Sequence, residues 1–218
     1  MSASDKTKAG GIGHDAMRFI DRVVGAPLCR VLTWWDRLSG GARRVGIGET
    51  AAPRRLAFIA LAEIGALVVS YPAVEAARRR FPDAEQYFIT FPGGRDVLKL
   101  CGFPEDRIVL LDPSSFKKFV VSILRALAFL RRVGVDATVN FETYARFSTL
   151  FAYLTGARWR AGFHPFLEEG HSVGDLVTHK TIYSPHMHAS YSYLAVVETL
   201  ARPTSADPGP KTPLAATP

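Results

Sequence analysis

An α/β fold, with a mainly parallel sheet covered by helices on both faces, is what residues 54–201 predict, on three observations. Short apolar runs such as "RRLAFIAL", "EQYFIT" and "TVNF" suit strands buried on both sides. Between them lie stretches with helical spacing and helix-ending glycines. The two kinds of segment alternate along the chain, and regular β-α alternation implies parallel strands joined by right-handed crossovers.

The elements follow in order. "RRLAFIAL" is the first strand, and "ALVVSYPAVEAARRR" is a helix whose Arg78, Arg79 and Arg80 suit a helix C-terminus. Pro72 must bend that helix or sit in its first turns. "EQYFIT" is the second strand, "GGRDVLKLCG" a short helix closed by Gly102, and "DRIVLLD" the third strand. Asp112-Pro113-Ser114-Ser115 gives stop and cap signals before "FKKFVVSILRALAFLRRVG". There Phe116, Phe119, Val120, Ile123, Leu124, Leu127 and Leu130 recur at spacings of three and four, which predicts one core face. "DATVNFE" is a fourth strand, followed by the helix "TYARFSTLFAYLTG" with Thr143 as N-cap and Gly156 as C-cap. "RWRAGFH" is a fifth strand, and after a polar loop "SPHMHASYSYLAVVETL" forms the last helix.

Three segments result: 1–53 as a basic amphipathic helix and linker, 54–201 as the folded domain, and 202–218 as a proline-rich tail. The net charge of +7 is weighted towards the beginning, where residues 1–54 carry 9 Lys+Arg against 5 Asp+Glu. That balance favours anionic surfaces. On a helix Met17, Ile20, Val24, Leu28, Val31, Leu32, Trp35 and Leu38 share a side, with Trp34 beside them and a kink or break expected at Pro27. Such a stripe fits either a headgroup layer or an apolar neighbour within a protein. Charges interrupt it too often for a membrane span. Cys29 and Cys101 lie far apart, with no CxxC pattern, which fits a reducing, cytoplasmic setting.

In parallel sheets ligands gather beyond the carboxyl ends of the strands. The loops there offer Glu63 and Gly65; Thr90, Gly93, Gly94 and Arg95; Asp112 and Ser114; and Asn140, Glu142, Thr143 and Arg146. Gly65 permits a close strand-to-helix turn, but no G-x-G-x-x-G accompanies it. Glu63 reads as a general base or as a solvated acid beside a helix N-terminus. Glu142 and Arg146, four apart, bind a polar ligand or pair with each other. His164, His171, His179, His186 and His188 have no metal-ligand spacing, so neither a metal nor a cofactor is expected. No P-loop, G-x-S-x-G or basic-aromatic nucleic-acid signature is present, and no nucleic-acid partner is expected.

The strand, single-glycine turn and early proline of "IGALVVSYPAVEAARRRFPDAE" resemble the N-terminal domain of glycosyltransferase family 9, the ADP-heptose:lipopolysaccharide heptosyltransferases. The likeness runs through "RIVLLD", the long basic-apolar helix, "DATVNFETYARFSTLFAYLTGARWRAGFH" and "HASYSYLAVVETL", from about Arg54 to Ala201. It is similar in particular to a subgroup with a "LAE-[LI]-G" turn, "FE-x-x-x-RFS", "GFH" and "LTHK", which stand here at Leu61–Gly65, Phe141–Ser148, Gly162–His164 and Leu176–Lys180. The resemblance implies the Rossmann-like N-terminal half of a GT-B fold, with metal-independent, inverting transfer of a sugar from a nucleotide-sugar donor to a glycolipid or oligosaccharide acceptor. It places Gly65, Ala66, Asn140, Arg146, His164 and His188 at the substrate. It also favours the inner-membrane surface, on the cytoplasmic side, as the partner of residues 15–39.

The chain departs from that pattern in two respects. Family members carry an aspartate base directly after the turn glycine, where this chain has Ala66, so Glu63 or Glu142 is expected to substitute. The residues after Ala201 correspond to the interdomain linker, so the expectation is an acceptor-binding half, inactive alone. The alternatives are a non-catalytic, membrane-associated acceptor-binding module and an unrelated nucleotide-binding α/β domain.

Overall fold

The computed structural model describes residues 26–38, 48–61, 64–143, 146–164, 176–184 and 186–203. Residues 15–25 of the N-terminal stripe, Glu63, His171, and most of the linker and tail lie outside the described residues. In chain order come α1 (Ala26–Leu38), β1 (Arg55–Ile59), α2 (Ile64–Arg80), β2 (Glu85–Thr90), α3 (Arg95–Leu100), β3 (Ile108–Leu110), α4 (Phe116–Val133), β4 (Ala137–Asn140), α5 (Arg146–Thr155), β5 (Trp159–Phe163), β6 (His179–Thr181) and α6 (Ala189–Leu200).

The strands form one sheet in the order β3-β2-β1-β4-β5-β6, every pair parallel. The expected Rossmann-like α/β class is therefore the observed one. The order reverses between β1 and β4, where the chain first builds outward to β3 and then returns. Registers such as Phe58↔Phe88 and Phe58↔Val139 stack side chains of like face across the strands. Leu56, Phe58, Phe88, Val139 and Phe163 point to one side, against α2, α3 and α6. Ala57, Ile59, Ile89 and Val109 point to the other, against α4 and α5. The central strands are buried along almost their whole length because both faces are covered.

Local signals explain most boundaries. The Ser115 hydroxyl accepts the Lys118 N–H at 3.3 Å to start α4, and Gly134 ends it at φ 72°. Pro72 falls within α2 and deprives the Val68 carbonyl of its helical donor, on a side of the helix open to solvent.

Pro27 occupies the first turn of α1, which begins at Ala26, where no N–H is required; the residues on its other side, which decide whether it breaks a longer helix, lie outside the described residues. Helix α5 is described from Arg146, and residues 144–145, which decide whether Thr143 caps it, lie outside the described residues. Other expectations need correction. Gly65 lies inside α2 with no positive φ and nothing within 4 Å of an added Cβ, so neither backbone nor packing demands glycine there. Strand β6 is an addition: its three residues, His-Lys-Thr, contain no apolar side chain for periodicity to register. Finally, Phe116, Val120 and Leu124 of α4 are exposed, while Phe119, Leu127 and Leu130 are buried. At about 100° per residue the stripe is wider than the face the sheet covers, and the 116-120-124 row lies on its flank.

Candidate functional site

The carboxyl ends of β1 and β4 adjoin at the reversal of strand order, and the side chains there are tied into one network. The Asn140 side chain, 3% exposed at the end of β4, donates from Nδ2 to Ser148 Oγ (3.0 Å) and to Thr149 Oγ1 (3.3 Å). Its Oδ1 accepts the Glu142 backbone N–H at 3.1 Å. Glu142 then turns back across the crevice, where its Oε1 accepts the Leu61 N–H at 2.6 Å. Thus β4 holds the loop, and the loop carboxylate closes on the end of β1 just before α2. Bonds of this charge-assisted kind are short and strong.

Two tyrosines complete the cluster, and neither was among the residues expected from sequence. The Tyr193 ring on α6 packs on Phe141 at 5.0 Å between centroids and lies 6.5 Å from Phe163. Burial pushes its phenol pKa up, and the charges of Glu142 and Tyr183 push it further the same way, so the proton stays on the oxygen beside the carboxylate. Tyr183, just after β6, stacks edge-on against Phe163 at 5.5 Å. Tyr183 was illegible because β6 was; recognising "HKT" as a strand would have put it at a carboxyl end.

The other expected residues fall as follows. Arg146, 9% exposed, is the first residue of α5. His164 follows β5 half-buried, its N–H donated to the Thr181 carbonyl at 2.9 Å. Gly65 and Ala66 lie in the first turn of α2, above the crevice. His188 is engaged in a structural task, since Nδ1 accepts the Ser190 N–H at 3.3 Å and caps α6. On the β2 and β3 side, Arg95 forms an ion pair with Glu105. Asp112 Oδ1 accepts the Ser114 N–H at 2.9 Å, and hydrogen bonds from Ser114, side chain then backbone, hold its carboxyl below the usual range. These two close their own loops and lie apart from the Glu142 cluster.

Among the described residues no group of three His, Cys, Asp or Glu is placed to hold a metal. A surface groove of about 810 Å³ runs along edge strand β3 and α4, with Asp112, Lys117, Lys118 and Arg125 among its lining residues. It lies away from the crevice, and the hydrogen-bonded network rather than groove volume marks the site.

No family model and no curated protein matches this sequence. Solved structures do share the fold. The glycosyl transferase family 9 protein from Veillonella parvula DSM 2008 superposes with a TM-score of 0.57 at 18% identity, over 68% of this chain and 41% of that one. The E. coli heptosyltransferase WaaC, solved with ADP-2-deoxy-2-fluoro heptose, gives 0.54 at 12% identity, over 70% of this chain and 50% of that one. The chain thus spans half or less of the length of these structures. At such identities the likeness establishes a common fold: the Rossmann-like architecture here is one that glycosyltransferases use.

Proposed function

We propose that this chain is the acceptor-binding side of a glycosyltransferase of the heptosyltransferase type, working in lipopolysaccharide-core or other surface-glycan synthesis. Residues 54–201 form that domain, and a second Rossmann-like half, in cis or in trans, holds most of the nucleotide-sugar. The observation that carries the reading is the Glu142 carboxylate, fixed at the reversal of strand order beneath the first turn of α2 and beside the Tyr193 phenol.

In this reading Glu142 takes the proton of the acceptor hydroxyl. The oxygen attacks the anomeric carbon from the face opposite the leaving group, and the nucleoside diphosphate departs with the bonding electron pair, inverting the centre without a metal. Glu142 replaces the acid that Ala66 lacks. Arg146, close by in sequence and charged, orients the polar acceptor. Residues 15–39 keep the protein at the cytoplasmic face of the inner membrane, where a glycolipid acceptor is anchored.

The test is transfer by the protein containing this domain, followed by mass spectrometry with nucleotide-diphosphate sugars, ADP-heptose first, because a heptosyltransferase of this fold was solved with an ADP-heptose analogue. Glu142→Gln keeps an oxygen to accept the Leu61 N–H but loses the basic carboxylate. Its kcat should fall by about 10²- to 10⁴-fold with an unchanged thermal midpoint. Arg146→Ala should depress transfer as well. Wild-type rates in the Gln variant remove Glu142 as the base. Two observations favour the non-catalytic module: Glu142 already has structural work on Leu61, and Ala66 offers no acid. Acceptor binding without transfer for any donor would select that reading.

A further inference from the structure

The row displaced from the core on α4 has a chemical character of its own. Phe116 is 65% exposed and Leu124 61%, and Val120 and Val121 join them on the outer surface. Every charged residue of the helix is a cation: Lys117, Lys118, Arg125, Arg131 and Arg132, all exposed. On the same side of the sheet α1 packs over α5, with Cys29 and Leu32 against Leu150, Tyr153 and Leu154. Leu154 also belongs to the cluster under α4, and its carbonyl accepts Arg131 Nε–H at 2.9 Å. The two helices therefore flank one neighbour. Helix α1 turns Leu28, Val31, Trp34 and Trp35 outward, the tryptophans each 62% exposed.

We infer that α4 and α1 together form one docking face for an anionic phospholipid surface, with Phe116, Leu124, Trp34 and Trp35 entering the headgroup layer and the α4 cations meeting lipid phosphates. Exposed aromatic and aliphatic side chains interspersed with Lys and Arg are the composition such an interface selects. Charge decides the occupant. A second copy packed by two-fold symmetry would set the α4 cations against their own equivalents. Glu105, Asp106 and Asp112 lie across the groove on the β3 flank, while the helix itself contributes no acid. This goes beyond the membrane contact proposed above, which rests on residues 15–39 alone, and it does not require sugar transfer.

Flotation of the full chain with vesicles of phosphatidylethanolamine and phosphatidylglycerol, against pure phosphatidylcholine, tests it. Wild-type protein should partition onto the anionic vesicles only. The triple variant Lys117→Glu, Lys118→Glu, Arg125→Glu should lose at least about tenfold in partitioning, since each surface cation counts appreciably. Phe116→Ser with Leu124→Ser should lose a comparable factor, both sets retaining the wild-type circular dichroism and melting. Trp34→Ala with Trp35→Ala separates the two readings. Loss there with wild-type binding by both α4 variants overturns this inference and leaves residues 15–39 standing. Loss in the α4 variants with none in the tryptophan variant overturns the joint face, leaving α4 alone at the membrane, and rejects the earlier reading as well. No vesicle binding by the wild type, or a dimer that Leu124→Glu disperses without any vesicle binding, overturns the inference outright.

Discussion

At the scale of single residues, Asn140 explains how a loop carboxylate becomes a fixed group. An amide buried to this degree must satisfy its hydrogen bonds inside the protein, and here it does so with Ser148, Thr149 and the Glu142 N–H. Asn140→Ala would leave those three groups without the amide, at a cost of about 2–3 kcal/mol in urea unfolding. It should also weaken transfer more than Ser148→Ala, because only the former releases the Glu142 backbone. Equal stability of wild type and Asn140→Ala would mean the network is not holding the loop. Sequence brought Asn140, Glu142 and Arg146 forward, since Asn140 ends an apolar run that had to be a strand and the other two follow it. It could not say that Asn140 faces inward to hold the loop, because that depends on α5 lying over β4. Nor could it find Tyr193, whose nearness to Glu142 arises from α6 crossing the sheet from 51 residues further along.

At the scale of elements, the turn from β2 into α3 shows which glycine is required. A Cβ on Gly94 would lie 2.4 Å from Leu67 Cδ1 and 2.7 Å from Thr90 Oγ1, whereas one on Gly93 meets nothing within 4 Å. The α3 turn thus approaches α2 and β2 too closely for a side chain. Gly94→Ala should cost about 1–3 kcal/mol, and Gly93→Ala should stay within about 0.5 kcal/mol; thermal melts of the two variants check this, and equal midpoints would refute it. The same comparison shows why elements were more legible than their contacts. Strands β1, β2 and β4 were evident because double burial imposes apolar runs, and α4 was evident from its spacing, cap and terminal glycine. Which part of the α4 stripe is covered depends on how much sheet lies beneath it, and a one-dimensional pattern does not contain that width.

At the scale of the whole molecule, the sheet's two ends differ in character, and the β6 end links global stability to pH. His179 is 2% exposed on an edge strand made of polar residues, its Nδ1 2.9 Å from Thr178 Oγ1. Burial first, and the neighbouring Arg160 charge second, push its pKa down to about 4, with Glu49 pulling weakly upward. The imidazole is therefore neutral in the fold at pH values where the unfolded chain, with a pKa near 6.5, already binds a proton. Proton uptake by the unfolded state favours unfolding, so this contribution to stability is complete above about pH 6.5 and declines as pH falls towards 4. The loss should approach roughly 3 kcal/mol. Urea titrations at pH 7 and pH 4.5 on wild type and His179→Asn, which keeps a polar group near Thr178, isolate it: the variant is weaker at pH 7 and loses less on acidification. Parallel losses in the two proteins would show that carboxylates elsewhere govern acid unfolding. The expected difference follows from β6 being buried although it is polar, the same property that hid the strand, and Tyr183 with it, from the sequence.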